Sequence, residues 1–404
     1  ILFYSVLGAA ASFDGAYVVR LGASNRLIGL QASLPALAAA LAYLPAARFL
    51  EGRKNKTRWL IGSLATVRLM YGLFILWPIV AMPVAAPLVV ATIVVMQLPA
   101  VVWATGWSPM LADVVPERAR ARVLSWRMVL LSAAVGVLTY GFGIWLERAS
   151  FPANYQWMYG LAIVGGLLSV YMVSRLRLPP EQAVAPEVHA ETQNTSLFAG
   201  AWQLLKESSN FRHIVINTLV FNSGIWMIGP LYTILFMKDL GASDGWVGLR
   251  MALLQVGSLV GYILWRRVTE RLGDAKTLLL ALPLTATFPL LVAAFPNLNI
   301  ILILSLWANL VAPGVDLTHN MIFMAELPPR RREMGVALYS MVMNMAAFVM
   351  PLIGVRVAER IGLLPTLVVG GVMRLVGVAL FYIKPVKEGM TWRVLLDWGK
   401  ARQR

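Results

Sequence analysis

The sequence predicts an all-α membrane protein with 12 transmembrane helices laid out as two six-helix pseudo-repeats, and three observations lead there. Of the 404 residues, 59% are hydrophobic and only 13% charged, with a mean hydropathy of +0.71, whereas an ordinary soluble domain carries about 25% charged residues. Apolar runs of spanning length follow one another along the chain, and Lys and Arg concentrate in alternate connections between them. A segment at the end of the first run returns, with its surroundings, in the second half.

A transmembrane helix needs about 20 consecutive, mostly apolar residues. Such runs fall at 1–20, 27–47, 59–78, 87–112, 123–146 and 155–175, and again at 211–237, 245–266, 277–295, 299–324, 335–357 and 363–383. Basic residues test this division independently, because cytoplasmic loops carry the Lys/Arg excess. With these spans in place, 26 of the 35 Lys and Arg lie on one side, seven lie on the other, and Arg68 and Arg374 fall within spans. That bias puts both termini in the cytoplasm, beside an anionic leaflet. The net charge of +16 is then topogenic, and nucleic acid is not expected as a partner.

The polar stretch 176–210, with Pro179-Pro180 and Glu191-Thr-Gln-Asn-Thr-Ser, reads as a cytoplasmic linker between a first half, 1–175, and a second, 211–384. Residues 385–404 mix Trp392, Leu395, Leu396 and Trp398 with Lys and Arg, as a basic cytoplasmic tail lying on a membrane surface does.

Leu21-Gly-Ala-Ser-Asn-Arg-Leu-Ile-Gly-Leu30 returns as Leu240-Gly-Ala-Ser-Asp-Gly-Trp-Val-Gly-Leu249, an offset of 219. The same offset carries Arg48 onto Arg267 and Glu51 onto Glu270. Farther on, Ala112-Asp-Val-Val-Pro116 matches Ala325-Glu-Leu-Pro-Pro329 at an offset of 213, with basic residues after both. Two six-span halves in the same orientation are an architecture of secondary transporters. Since the seventh span begins near Phe211, the repeat also predicts a first span truncated by about eight residues at its start.

Other function classes find no support. The chain has no Cys, and its three His residues, His189, His213 and His319, are scattered, so neither a disulfide framework nor a clustered metal site is expected. There is no P-loop, dinucleotide fingerprint or HExxH, and Gly106-Trp-Ser-Pro-Met lacks the second Gly of a nucleophile elbow. No nucleophile, base and orienting group occur together, so neither an enzyme nor a cofactor is expected.

Between spans eight and nine stands Arg266-Arg-Val-Thr-Glu270-Arg271-Leu-Gly273-Asp-Ala-Lys276, and between two and three Ala47-Arg-Phe-Leu-Glu51-Gly-Arg53-Lys54-Asn-Lys56. With these motifs the chain resembles, over essentially its whole length, the major facilitator superfamily of secondary transporters, whose signature at both places runs roughly G-x-x-x-D-R-x-G-R-K. Glu replaces Asp in both copies, the leading Gly is missing from both, and the inner Arg and Gly survive only in the second. Asp113-Val-Val-Pro116-Glu-Arg118-Ala-Arg120-Ala-Arg122 and Glu326-Leu-Pro-Pro329-Arg-Arg-Arg332 look like the family's acidic-Pro-Arg segments after spans four and ten. The resemblance implies a cytoplasmic latch built from Glu51, Arg53, Glu270, Arg271, Gly273 and Lys276 with Asp113, Arg122, Glu326 and Arg332. In it, acids at helix ends pair with Arg on neighbours; setting topology is the competing role for these cations. Gly136, Gly141 and Gly143 in the fifth span are similar to the family's antiporter motif, and close helix packing explains them equally well.

An ionisable group at mid-membrane depth is costly and by default a functional candidate. The resemblance implies that spans one, four, seven and ten line a central cavity, which puts Asp14, Asp316 and His319 on cavity helices and Arg68 and Arg374 on scaffold helices, where a structural role is expected. Asp316-Leu-Thr-His319 sets carboxylate and imidazole on one helical face. Asp316 reads as a proton-coupling acid with His319 its partner or a substrate contact; a packed pair that fixes helix position is the competing reading. Asp14 takes part in proton transfer, binds a cationic group, or neutralises Arg68 or Arg20. Gln97, Asn217, Asn222, Asn309 and Asn320 are polar cavity candidates. Trp103 and Trp107 align with Asp316 and Asn320, and an aromatic pair opposite an acid-and-amide pair describes an amphipathic cavity; tryptophans facing lipid or a neighbouring helix are the competing reading.

The function expected from this resemblance is secondary active transport of a small organic solute by alternating access, as proton-coupled efflux of an amphipathic or drug-like compound. A sugar-type uptake permease and a non-transporting assembly or lipid-handling protein are the alternatives. The expected setting is a monomer in a plasma (inner) membrane, with a small-molecule substrate, protons and lipid as its partners.

Overall fold

A computed structural model describes residues 2–51, 55–114, 117–175, 206, 208–327 and 332–383. Most of the expected linker and the whole basic tail lie outside these. Twelve helices among the described residues are long and apolar enough to cross a membrane. They are Leu2–Arg20, Asn25–Tyr43, Lys56–Val80, Met82–Trp107, Val129–Arg148 and Ala153–Ser174, then Ser209–Asp239, Asp244–Leu272, Asp274–Ala294, Leu298–Glu326, Leu338–Ile361 and Leu363–Ile383. Each coincides with one of the apolar runs. Side chains such as Val137, Trp157 and Ile303 are exposed on the outside, as a surface solvated by lipid rather than water permits.

Helix pairing repeats between the halves. In the first, span one packs on five and six, three on four and six, and two on four; in the second, seven packs on eleven and twelve, nine on ten and twelve, and eight on ten. The halves meet mainly through two equivalent contacts, five on eight and two on eleven. Small residues allow the approach. A Cβ on Gly143 would stand 2.8 Å from the Cα of Gly248, and one on Gly29 would stand 2.8 Å from Val355 Cγ2. Close helix packing therefore accounts for Gly143 of the fifth span.

The ten-residue repeat turns out to be a turn and a cap. Gly22 and Gly241 adopt φ of 83° and 65°, a region open mainly to glycine, and let one span end. Ser24 and Ser243 then accept hydrogen bonds from the backbone N–H of Leu27 and Trp246, at 3.2 and 3.1 Å, and start the next span. The position after each Ser, Asn25 or Asp244, is used across the interface. Arg20 of the first half reaches Asp244 of the second at 3.2 Å, while Lys238 of the second donates to Ala23 O and Asn25 Oδ1 of the first at 2.6 and 2.9 Å. Tyr155 adds a hydroxyl donated to Asp244 at 2.8 Å, and Arg26 pairs with Glu359 at 3.0 Å. Between described residues, all hydrogen bonds and ion pairs joining the halves lie at this end, opposite the Lys/Arg-rich loops.

The first span is broken into Leu2–Ala11 and Asp14–Arg20. Ser12 turns its hydroxyl back to Gly8 O at 3.1 Å, and Asp14 begins the second piece, where a negative charge meets the positive end of the helix dipole. Around it Tyr17, Phe74, Tyr155 and Tyr159 form a fully buried aromatic core.

Candidate functional site

Span ten carries the acid of the second half. Pro313 lies inside this helix and has no N–H to offer the carbonyl four residues back. Gly314 beside it makes room for Trp265 of span eight, since a Cβ there would fall 2.6 Å from the indole; Trp265 Nε1 donates to Leu310 O at 2.9 Å. Just beyond this seat, Asp316, His319 and Asn320 share one helical face and line a cavity of about 460 Å³ with Thr218 and Asn222 of span seven and Tyr339 and Ser340 of span eleven. That volume suits a small organic molecule. His319 Nε2 lies 2.7 Å from Thr218 Oγ1, and Tyr339 lines the cavity beside them. The imidazole is parallel to Phe323, with centroids 6.4 Å apart. Asp316 is exposed, and no Lys or Arg lines the cavity among the described residues. The expected carboxylate–imidazole pair does not form: the hydrogen-bond partner of His319 is Thr218.

A second cavity, of about 540 Å³, occupies the first half. Trp103 and Trp107 of span four line it with Arg68 of span three, Arg127 on the helix just before span five, and Tyr4 of span one. The two indoles lie 5.0 Å apart, the Arg127 guanidinium stands 5.2 Å over Trp107, and that of Arg68 stands 5.1 Å over Tyr4. This corrects the expectation of a single amphipathic cavity with the tryptophans facing the acid and amide. Residues aligned by the repeat occupy equivalent places in different halves, and each set points into the helices of its own half. Arg68, for which a structural role is expected, is a lining residue.

Both cavities lie toward the Lys/Arg-rich end, the acid cavity near the finish of span ten at Glu326 and the other near Trp107 and Arg127.

The other candidates scatter. Asn217 donates to Leu380 O of span twelve at 3.3 Å, and Asn309 accepts from Ser258 of span eight at 3.2 Å, so both face neighbouring helices; Gln97 is half-buried and lines neither cavity. Asp14 accepts from the Tyr159 hydroxyl at 2.9 Å and neutralises neither Arg20, which pairs with Asp244, nor Arg68. Arg374 is buried, with its guanidinium 4.4 Å over Phe221. Of the latch residues, Glu270 pairs with Arg266 on its own helix at 3.2 Å rather than with a neighbour, because the i, i+4 spacing brings them together. Gly273 closes span eight with φ 78°, the tight turn expected of it. Glu326 accepts from Asn210 of span seven at 2.9 Å, and Arg271 and Lys276 make no ion pair with a described residue. Arg53 and the side chains of Glu51, Asp113, Arg122 and Arg332 lie outside the described residues.

Sequence reasoning missed Thr218, Tyr339, Arg127 and Asp244. One signal was available for Arg127: the offset of 213 carries Ser340, which lines the acid cavity, onto it.

Matched against family models, the chain aligns with the Major Facilitator Superfamily twice, over residues 2–227 and 214–394. The chain belongs to the Major Facilitator Superfamily. This superfamily member is a multi-pass membrane transporter of a solute. Its fold is similar to that of the xylose transporter XylE from E. coli in an inward open conformation, with a TM-score of 0.68, 12% identity and coverage of 98% of each chain. It is similar also to the nucleoside transporter NupG (TM-score 0.71, 11% identity, covering 95% of this chain and 97% of that one). An inward-facing bacterial homologue of the human lysosomal transporter Spinster gives a TM-score of 0.63 at 15% identity, covering 97% and 96%. No curated protein matches the sequence.

Proposed function

We propose that this transporter exports an amphipathic organic compound in exchange for protons, with Asp316 as the shared site. The observation that carries the reading is a carboxylate facing an open cavity that no Lys or Arg lines among the described residues. An acid on a membrane-spanning helix, without a cation beside it, is satisfied by a proton or by a cationic group of a solute. Competition between the two at one carboxylate yields exchange as the halves rock about the site. His319, held by Thr218, and the amides of Asn222 and Asn320 supply further hydrogen bonds for the solute.

The Lys/Arg excess of its loops supports reading that end as cytoplasmic; on this reading the clasped end is exterior and the cavities are reached from inside. In the opposite state the clasp of Arg20, Asp244, Lys238 and Asn25 opens, and Glu270, Arg271 and Glu326 meet the loops of the first half as a latch. The protein acts as a monomer in a plasma (inner) membrane.

The polar lining favours a second reading, proton-coupled uptake of a hydroxyl-rich nutrient. Thr218, Asn222, Asn320, Tyr339 and Ser340 offer more hydrogen-bonding groups than an apolar drug needs, and structures of similar fold include one described as a D-xylose-proton symporter.

Proteoliposomes holding a pH dye distinguish the readings. Amphipathic cations are set against pentoses and nucleosides, with Asp316→Asn in parallel. Proton movement driven by the cations and lost in the variant is expected for export; movement driven by the sugars or nucleosides selects uptake. Coupled flux that survives in Asp316→Asn removes Asp316 from both.

A further inference from the structure

We infer that the cavity of the first half is a separate binding site for an amphipathic organic anion, a carboxylate or phosphate on an apolar or aromatic body. Two guanidinium groups line it, and no acidic residue does so among the described residues. Arg68 is only 7% exposed, its Nε has no hydrogen-bond partner, and no described carboxylate lies within ion-pair distance of Arg68 or Arg127. A buried cation left without a counter-charge is costly, and a guanidinium is the side chain best shaped to grip a carboxylate or phosphate through two parallel N–H bonds.

The cavity supplies the rest of the ligand's surroundings. The guanidinium carbons of Arg68 and Arg127 stand over the rings of Tyr4 and Trp107, and the bonds an anion needs come from their N–H groups. The Trp103–Trp107 pair and Leu64, Val67 and Leu131 give an apolar body its contacts, in a space of about 540 Å³. Arg68 is also specifically seated: a Cβ on Gly166 would lie 2.9 Å from its Cδ. Arg374 shows what a purely structural counterpart looks like. It too is buried with an unbonded Nε and stacks on an aromatic ring, yet it does not line the acid cavity. The two cavities share no lining residue, so the anion site stands whether or not Asp316 carries protons.

An anionic lipid headgroup and a soluble organic acid offer the same chemistry, and one experiment separates them. The whole protein in phosphatidylcholine nanodiscs is titrated calorimetrically with 2-naphthoate, then again in nanodiscs containing phosphatidylglycerol. Saturable binding is expected, weakened about tenfold or more by Arg127→Gln and by Arg68→Gln, since each removes a charge-assisted contact. Arg148→Gln, at the far end, keeps wild-type affinity. Loss of naphthoate binding when phosphatidylglycerol is present assigns the site to lipid phosphate, and retention assigns it to a soluble acid. Because Arg68→Gln removes a buried group, Arg68→Lys is run beside it and thermal unfolding checks both for folding; Arg127 is half-buried and its variant stands alone. Absence of saturable binding by the folded wild type, or equal affinity in the folded Arg127 and Arg68 variants, overturns the proposal.

Discussion

The two cavities occupy equivalent places in the two halves and have opposite chemistry. Where the second half has Asp316, Asn320 and Ser340, the first has Trp103, Trp107 and Arg127. One is acidic and rich in hydrogen-bonding groups; the other is cationic and aromatic. The backbone that makes them is the same, since every helix pairing of one half recurs in the other. A repeat therefore preserves what helix packing requires, the glycine turns, the serine caps and the close approaches, while side chains that face an open space are released from that requirement and diverge. The clasp at the opposite end shows an intermediate case. Its two cations reach equivalent positions, but one acceptor is a carboxylate and the other an amide.

Four substitutions sharpen or break this contrast. The largest effect belongs to Asp316→Asn, expected to cut substrate-linked proton flux at least about 100-fold, the scale on which a positioned proton carrier contributes; dye-reported flux in proteoliposomes reads it. Next comes Asp244→Ala, which strands the buried Tyr155 hydroxyl and removes the partner of Arg20. A loss of about 2 kcal/mol at the clasped end follows, or roughly thirtyfold in its open population. The chain has no cysteine, so the buried Ala23 replaced as Ala23→Cys is a single label site, and faster labelling in the Asp244→Ala background is the readout. Thr218→Val keeps shape and deletes the hydroxyl that holds His319; KM for the transported solute should rise about fivefold, the worth of a neutral hydrogen bond. Smallest is Asn25→Ala, at no more than about 0.5 kcal/mol by the same labelling assay, because its partner Lys238 faces solvent and keeps Ala23 O. Equal effects of Asp244→Ala and Asn25→Ala would show that the two sides of the clasp do not differ as their chemistry says.

Much of this was legible in the residues. Twelve spans follow from the length of the apolar runs, because a bilayer leaves a backbone no way to cross except with its hydrogen bonds satisfied inside a helix. Two equivalent halves follow from Leu21–Leu30 returning at Leu240–Leu249, and Asp316 stood out because a charge within a span has a cost that chance does not sustain. The family follows from the loop motifs, whose physical roles are local.

What the residues alone left open was which side chains meet. His319 stands one turn from Asp316 but bonds Thr218, a hundred positions away in the chain; Trp103 aligns with Asp316 yet shares its cavity with Arg127 and Tyr4; Arg20 passes over the nearby Asp14 for Asp244. Periodicity and hydropathy report how a helix relates to the membrane. The rotation of each helix about its own axis is set by the small residues at its contacts, Gly143 against Gly248 and Gly314 against Trp265, and that rotation, decided only when the helices pack, determines which residues share a cavity.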